Sequence, residues 1–209
     1  MSMLDLAKFE AAILQREPCD YIVVPHFVKA AALDAINADY PDIVNAGNFP
    51  VEDLSYGPKF GALIEELTGP ELRARFEQKF GFDLTSYPTQ VTIRKFVSAL
   101  DGNIHNDSRT KKITVLIYFN HEWHQPGGQL RITRSETDLD DYFVEIPPVQ
   151  GTLLAFRRNE RSFHGFPPAQ GERRSLQMYW VEPKRLRRNK PTGMKKTLHK
   201  LFRKAIGTR

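Results

Sequence analysis

Six short β-rich segments follow one another along the second half of the chain, at residues 89–97, 112–119, 128–133, 142–146, 151–156 and 174–181, each separated from the next by turn-forming residues. Such a succession after a helical start predicts an α+β chain whose β part is a sandwich or barrel. The helical start is legible too. Leu4, Leu6, Phe9, Ile13 and Leu14 recur at helical spacing, Tyr21-Ile22-Val23-Val24 reads as a short strand stopped by Pro25, and Val28 to Ala38 reads as a helix ending before Tyr40-Pro41. Residues 41–58, rich in Pro, Gly, Asn and Asp, are expected to be loop. Residues 59–80 predict two helices punctuated by Gly69-Pro70, with Pro70 in the first turn of the second.

At 209 residues and 41% apolar, the chain has enough apolar mass for one full core. No apolar run approaches a membrane span, and the first ten residues carry Asp5 and Glu10 where an export signal would be basic and then apolar. The single cysteine, Cys19, excludes an internal disulfide framework and fits a reducing cytoplasm. The net charge of +5 is unevenly placed: residues 184–209 hold eleven Lys and Arg and no acid, which leaves the remainder at −6. Within this tail Met194, Leu198, Leu201, Phe202 and Ala205 follow helical spacing among basic residues. A basic amphipathic helix of this kind can dock on its own body, lie on the anionic inner face of a membrane, or bind nucleic acid. The lack of interleaved aromatic residues argues against nucleic acid.

His105-Asn106-Asp107 lies in the β region, and His164 follows much later. Residues i and i+2 of an extended segment point to one side, so His105 and Asp107 can share a face, and His164 can arrive from a neighbouring strand. Two histidines and one carboxylate on one face of a metal form the facial arrangement of non-haem Fe(II) oxygenases. By itself His-x-Asp is a weak signal, because solvated loop residues supply it often. The run from Arg173 adds to it. Arg173, Ser175, Gln177 and Tyr179 alternate with Arg174, Leu176, Met178 and Trp180, so the apolar set is expected to pack on the helices and the polar set to face the barrel interior. Arg173 and Ser175 then suit a carboxylate, with Arg174 left as a surface charge.

The order of these pieces, with Thr114 to Asn120, Trp123, Gly127-Gly128-Gln129-Leu130-Arg131-Ile132 and Gly151 to Phe156 between them, resembles the prolyl-hydroxylase branch of the Fe(II)- and 2-oxoglutarate-dependent dioxygenases. It extends over roughly residues 89–182. The resemblance implies a double-stranded β-helix, a jelly-roll or cupin-like barrel with supporting N-terminal helices (1–88 helical part, 89–183 barrel, one domain in all) and the basic tail 184–209 appended. It implies His105, Asp107 and His164 as iron ligands, Arg173 as the partner of the distal carboxylate of 2-oxoglutarate, Tyr118 as a second hydrogen-bonding group there, and Leu130 and Gln177 as lining residues. Fe(II), 2-oxoglutarate and O2 would be the cofactors, and the reaction hydroxylation of a C–H bond.

Phe96 stands near a position where many relatives carry tyrosine. Arg94, on the same predicted face, is either a charge aimed inward at an acidic group or a rim residue, and the cost of an inward charge favours the rim. His121-Glu122-Trp123-His124 reads as a loop at the barrel rim, His26 as structural, and Asp138-Leu139-Asp140-Asp141 as a solvated connection. The primary substrate is open between a small molecule, a saccharide or lipid-linked intermediate, and a protein side chain. The competing reading is a non-catalytic jelly-roll binding module, against which the joint presence of all three ligands and Arg173 argues.

Overall fold

The computed structural model describes residues 2–183; the basic tail lies outside them. A short helix α1 (Leu6–Ala11), a strand β1 (Tyr21–Val24) and helix α2 (Ala30–Ala38) lead into helices α3 (Pro58–Thr68) and α4 (Pro70–Phe80). Pro70 opens α4 directly after Gly69, and Gly81 ends it in the left-handed conformation at φ 59°. Two departures from the sequence reading fall in residues 41–58. They contain a two-residue strand β2 (Phe49–Pro50) and a single 3-10 turn (Val51–Asp53).

The remaining strands are β3 (Thr89–Val97), β4 (Lys111–Tyr118), β5 (Leu130–Thr133), β6 (Tyr142–Ile146), β7 (Leu153–Arg157), β8 (His164–Gly165) and β9 (Gly171–Val181). They form two antiparallel sheets of order β1-β7-β4-β9-β3-β2 and β6-β5-β8, the double-stranded β-helix. Two apolar layers hold it together. Val91, Ile93, Ile113, Val115, Ile117, Phe119, Leu176, Met178 and Trp180 project from the outer face of the larger sheet into one cluster with Phe60, Leu63, Leu72, Phe76 and Phe80 of the helices. The Phe76 ring meets that of Trp180 at 4.8 Å. The inner layer joins Leu116, Tyr118, Leu154 and Phe156 of the larger sheet to Leu130, Ile132 and Ile146 of the smaller. Alternation along β4 and β9 therefore separates a helix-facing side that is apolar except for Arg174, which meets Asn37 of α2, from an inner side that carries the other polar groups.

The register fixes those polar groups rung by rung. Arg94 of β3, Ser175 of β9 and Tyr118 of β4 lie side by side, as do Thr92, Gln177 and Leu116 on the next rung. Beyond Arg94 the pairing shifts, so that Arg173 and Arg174 of β9 together oppose Lys95. This is a β-bulge, a device that re-aims side chains beside sites. Arg173, two residues before Ser175, shares its inward face and is 2% exposed. Among the described residues no helix is long and apolar enough to cross a membrane.

Candidate active site

His105, Asp107 and His164 converge at the mouth of the barrel, each offering a ligand atom within 4.8 Å of the others. Backbone pairing brings them there. His105 N–H donates to His164 O and His164 N–H to His105 O, both at 3.0 Å, so the His105 segment extends the smaller sheet beyond β8. Asn106 points the opposite way and donates to Asn159 O at 2.7 Å while accepting from Ser162 Oγ at 2.8 Å. That contact anchors the motif to the loop before β8 and leaves the flanking His and Asp on the inner side.

The imidazoles are set up as ligands. Nδ1 of His105 lies 3.0 Å from Asn103 O and Nδ1 of His164 lies 3.0 Å from Ser162 O. A carbonyl only accepts, so in both rings Nδ1 carries the proton and Nε2 presents its lone pair. Burial lowers the pKa of His164 to about 4, against the pull of Asp107, which keeps the ring neutral at pH 7 as metal ligation requires. Burial on its own would raise the Asp107 carboxyl. The charges of Lys111 and His164, with hydrogen bonds from Lys111 and Thr114, bring it down to about 2. Thr114 Oγ1 donates to one carboxylate oxygen at 2.6 Å, and Lys111 Nζ pairs with the other at 2.6 Å. Lys111 also lies 3.6 Å over the Tyr179 ring.

A cavity of about 280 Å³ extends from this cluster into the barrel, lined by Leu116, Leu130, Phe166, Gln177 and Tyr179, with Arg173 and Arg94 farther along. This lies at the small end of ligand pockets. Arg173 donates from Nε to Gly128 O at 2.8 Å and is flanked by the rings of Phe166 and Tyr118 at 4.5 and 5.0 Å. Gly128 is required for this anchor. Its φ is +90°, and a Cβ there would stand 2.6 Å from the Trp123 ring. Gly128→Ala is expected to cost about 2 kcal/mol of stability and to weaken 2-oxoglutarate binding by shifting Arg173, both measurable by thermal unfolding with and without the acid.

The fit of a 2-oxo acid is visible in the hydrogen-bond count. Thr92 Oγ1, Arg94 Nη1, Tyr118 Oη, Arg173 Nη2 and Ser175 Oγ are buried and lack a hydrogen-bond partner among the described residues. Buried polar groups are ordinarily satisfied, and these all belong to the inner side of the barrel. An anionic ligand accepting from them supplies what the protein leaves unmade.

Of the residues expected from the sequence, His105, Asp107, His164, Arg173, Leu130 and Gln177 line this one cavity. Tyr118 and Ser175 stand on the Arg94 rung beside it. Arg174 is part-exposed and ties Glu172 to Asn37. Arg94 requires correction: it is not at the rim but 9% exposed within the barrel, where Asn48 and Asp101 meet its charge. Lys111, Thr114, Asn48 and Asp101 are site residues that the sequence reading did not single out. Only Thr114 carried a signal, its place on the Tyr118 face of β4. His121 and His124 are exposed and pair with Asp34 and Glu122. His26 is exposed in a turn at φ 54°. The acidic segment is an exposed connection between β5 and β6, where Asp140 pairs with Arg131 and Asp141 with Arg134. Burial pushes the Cys19 thiol up to about 12, leaving it inert.

Comparison with known proteins agrees with the geometry. The sequence model described as the 2OG-Fe(II) oxygenase superfamily matches residues 93–182. A search of the curated proteins gives no match. Among solved structures the chain is similar to a prolyl-4-hydroxylase of Pseudomonas putida (TM-score 0.57, 20% identity, 79% of this chain and 94% of that one). It is also similar to a Burkholderia pseudomallei oxidoreductase of the 2OG-Fe(II) oxygenase family (0.53, 17%, 85% and 90%). A prolyl 4-hydroxylase of Phytophthora capsici gives 0.53 at 15% identity, with 97% of this chain and 74% of that one covered. At these identities the likeness is one of fold.

Proposed function

We propose that the chain, whose residues 93–182 match the sequence model of the 2OG-Fe(II) oxygenase superfamily, is an oxygenase of that kind and hydroxylates a C–H bond of its primary substrate. When bound, Fe(II) and 2-oxoglutarate supply the oxidation, in which O2 gives one atom to the substrate and one to the succinate that remains as 2-oxoglutarate loses CO2. His105, His164 and Asp107 would hold the iron and leave three of its positions open. The two backbone carbonyls fix both imidazoles in the ligating tautomer, and Thr114 fixes the plane of the carboxylate. Arg173 would take the distal carboxylate, and Leu116, Leu130 and Phe166 exclude water from the cavity.

The observation that carries this reading is the coincidence in one cavity of a correctly tautomerised His-Asp-His cluster and a buried, incompletely satisfied arginine. The test is anaerobic addition of Fe(II) and then 2-oxoglutarate, followed by visible absorption and, with O2, succinate release. A weak charge-transfer band absent from His105→Ala is the expected result. Its absence from well-folded parent protein overturns the reading.

Residues 1–183 are read as a single oxygenase domain acting in the cytoplasm, and the eleven basic residues of 184–209 as a contact for the anionic inner membrane face. The prime substrate, on this reading, is a small molecule, a saccharide or lipid-linked intermediate, or a protein side chain. Sedimentation with anionic liposomes, with and without the tail, checks the membrane contact: pelleting of the full chain alone supports it, and equal, negligible pelleting removes it.

A further inference from the structure

Two arginines, not one, reach the distal end of the cavity. Arg94 comes from β3 and Arg173 from β9, and both line it. Each is anchored by Nε, Arg94 to Asn48 Oδ1 at 2.9 Å and Arg173 to Gly128 O at 2.8 Å. Each is also left with a buried Nη that has no hydrogen-bond partner among the described residues. Asp101 Oδ2 stands 3.0 Å from Arg94 Nη1, but off the hydrogen-bonding direction, and it already accepts from Ser98 N and Oγ. Burial lowers the pKa of Arg173, and the charge of Arg94 adds to the effect, so the two guanidiniums are within electrostatic reach. Two cations and one carboxylate leave this end of the barrel one positive charge in excess. One further carboxylate balances it.

We infer that Arg94 is a second guanidinium of the distal-carboxylate pocket, so that 2-oxoglutarate is gripped from β3 and β9 together. The inference rests on the 2-oxoglutarate reading above. Arg94 and Ser175 share a rung with Tyr118, whose hydroxyl is also unpartnered, so the carboxylate would meet donors from three adjacent strands. Arg94 then divides its charge between the ligand and Asp101, which competes with the ligand for it.

The test uses the full chain loaded with Mn(II) and titrated calorimetrically with 2-oxoglutarate, and separately with pyruvate, which has the 2-oxo acid group but no distal carboxylate. Replacing the pair together, Arg94→Gln with Asp101→Asn, removes the donor without leaving Asp101 unopposed. Binding of 2-oxoglutarate is expected to weaken about tenfold, the worth of one charge-assisted hydrogen bond, with pyruvate unchanged. Asp101→Asn alone, which keeps Arg94 in place, is expected to tighten 2-oxoglutarate. An equal loss for both acids, unchanged 2-oxoglutarate binding in the double variant, or unchanged or weaker binding in Asp101→Asn overturns the role of Arg94. If the parent binds 2-oxoglutarate in each of those cases, the oxygenase reading survives. A parent that takes up neither acid overturns that reading and this inference with it.

Discussion

Asp107→Ala is expected to abolish iron retention and to lower succinate formation by roughly three orders of magnitude or more, as loss of a member of a unit that acts together does. The same substitution also destabilises the metal-free protein. It removes the carboxylate that Lys111 and Thr114 hold at 2.6 Å on either oxygen and leaves a lysine whose side chain is 24% exposed without its partner. Stranding a fully buried charge costs about 3–5 kcal/mol; the partial exposure of Lys111 reduces this to about 2 kcal/mol. Asp107→Asn separates the two effects, because an amide oxygen still accepts one of these hydrogen bonds but is a poor iron ligand. Iron content and thermal unfolding of the two variants check this. An alanine variant that retains stoichiometric iron, or one as stable as the parent without metal, contradicts it.

The strands and the inner face were legible because alternation in β4 and β9 is clean: Ile113, Val115 and Ile117 pack on the helices while Tyr118 points inward. The iron cluster was legible as a motif, and its completion by His164 through the resemblance. What was not legible has a common physical character. β2 and β8 are two residues long, too short for any periodicity, and exist only because longer partners are there to pair with. Alternation places Arg94 on the inward face, whereas the cost of burying a charge favours the rim. That cost is met by Asn48 and Asp101, which approach from loops on either side of β3. Lys111 reaches Asp107 because the intervening residues turn back on themselves, with Lys111 N–H donating to Ser108 O at 2.9 Å. No pattern announces such a contact. The non-catalytic alternative loses ground on the same observations, since a bare binding module has no need of two histidines held in one tautomer.

Arg173→Met is expected to separate function from stability in the opposite sense to Asp107→Ala. Loss of a fully desolvated charge partner typically weakens a carboxylate ligand by about 2–5 kcal/mol, so 2-oxoglutarate binding should fall by at least about thirtyfold. Truncating a buried side chain as large as this one ordinarily costs about 2–5 kcal/mol of stability. Here the charge has no dedicated carboxylate among the described residues, because Asp101 serves Arg94. Arg173 is only 2% exposed, and its Nη2 makes no hydrogen bond there. An unbranched apolar chain fills the slot between Phe166 and Tyr118 with little change of shape and without the desolvation penalty; against this stands the lost bond to Gly128 O. The two effects are each about 1–2 kcal/mol, so the ligand-free variant is expected to unfold within a few degrees of the parent. Adding 2-oxoglutarate should then raise the melting temperature of the parent and leave that of the variant in place. A variant that melts far below the parent without ligand, or that is still stabilised by 2-oxoglutarate, would show that Arg173 holds the fold and not the acid.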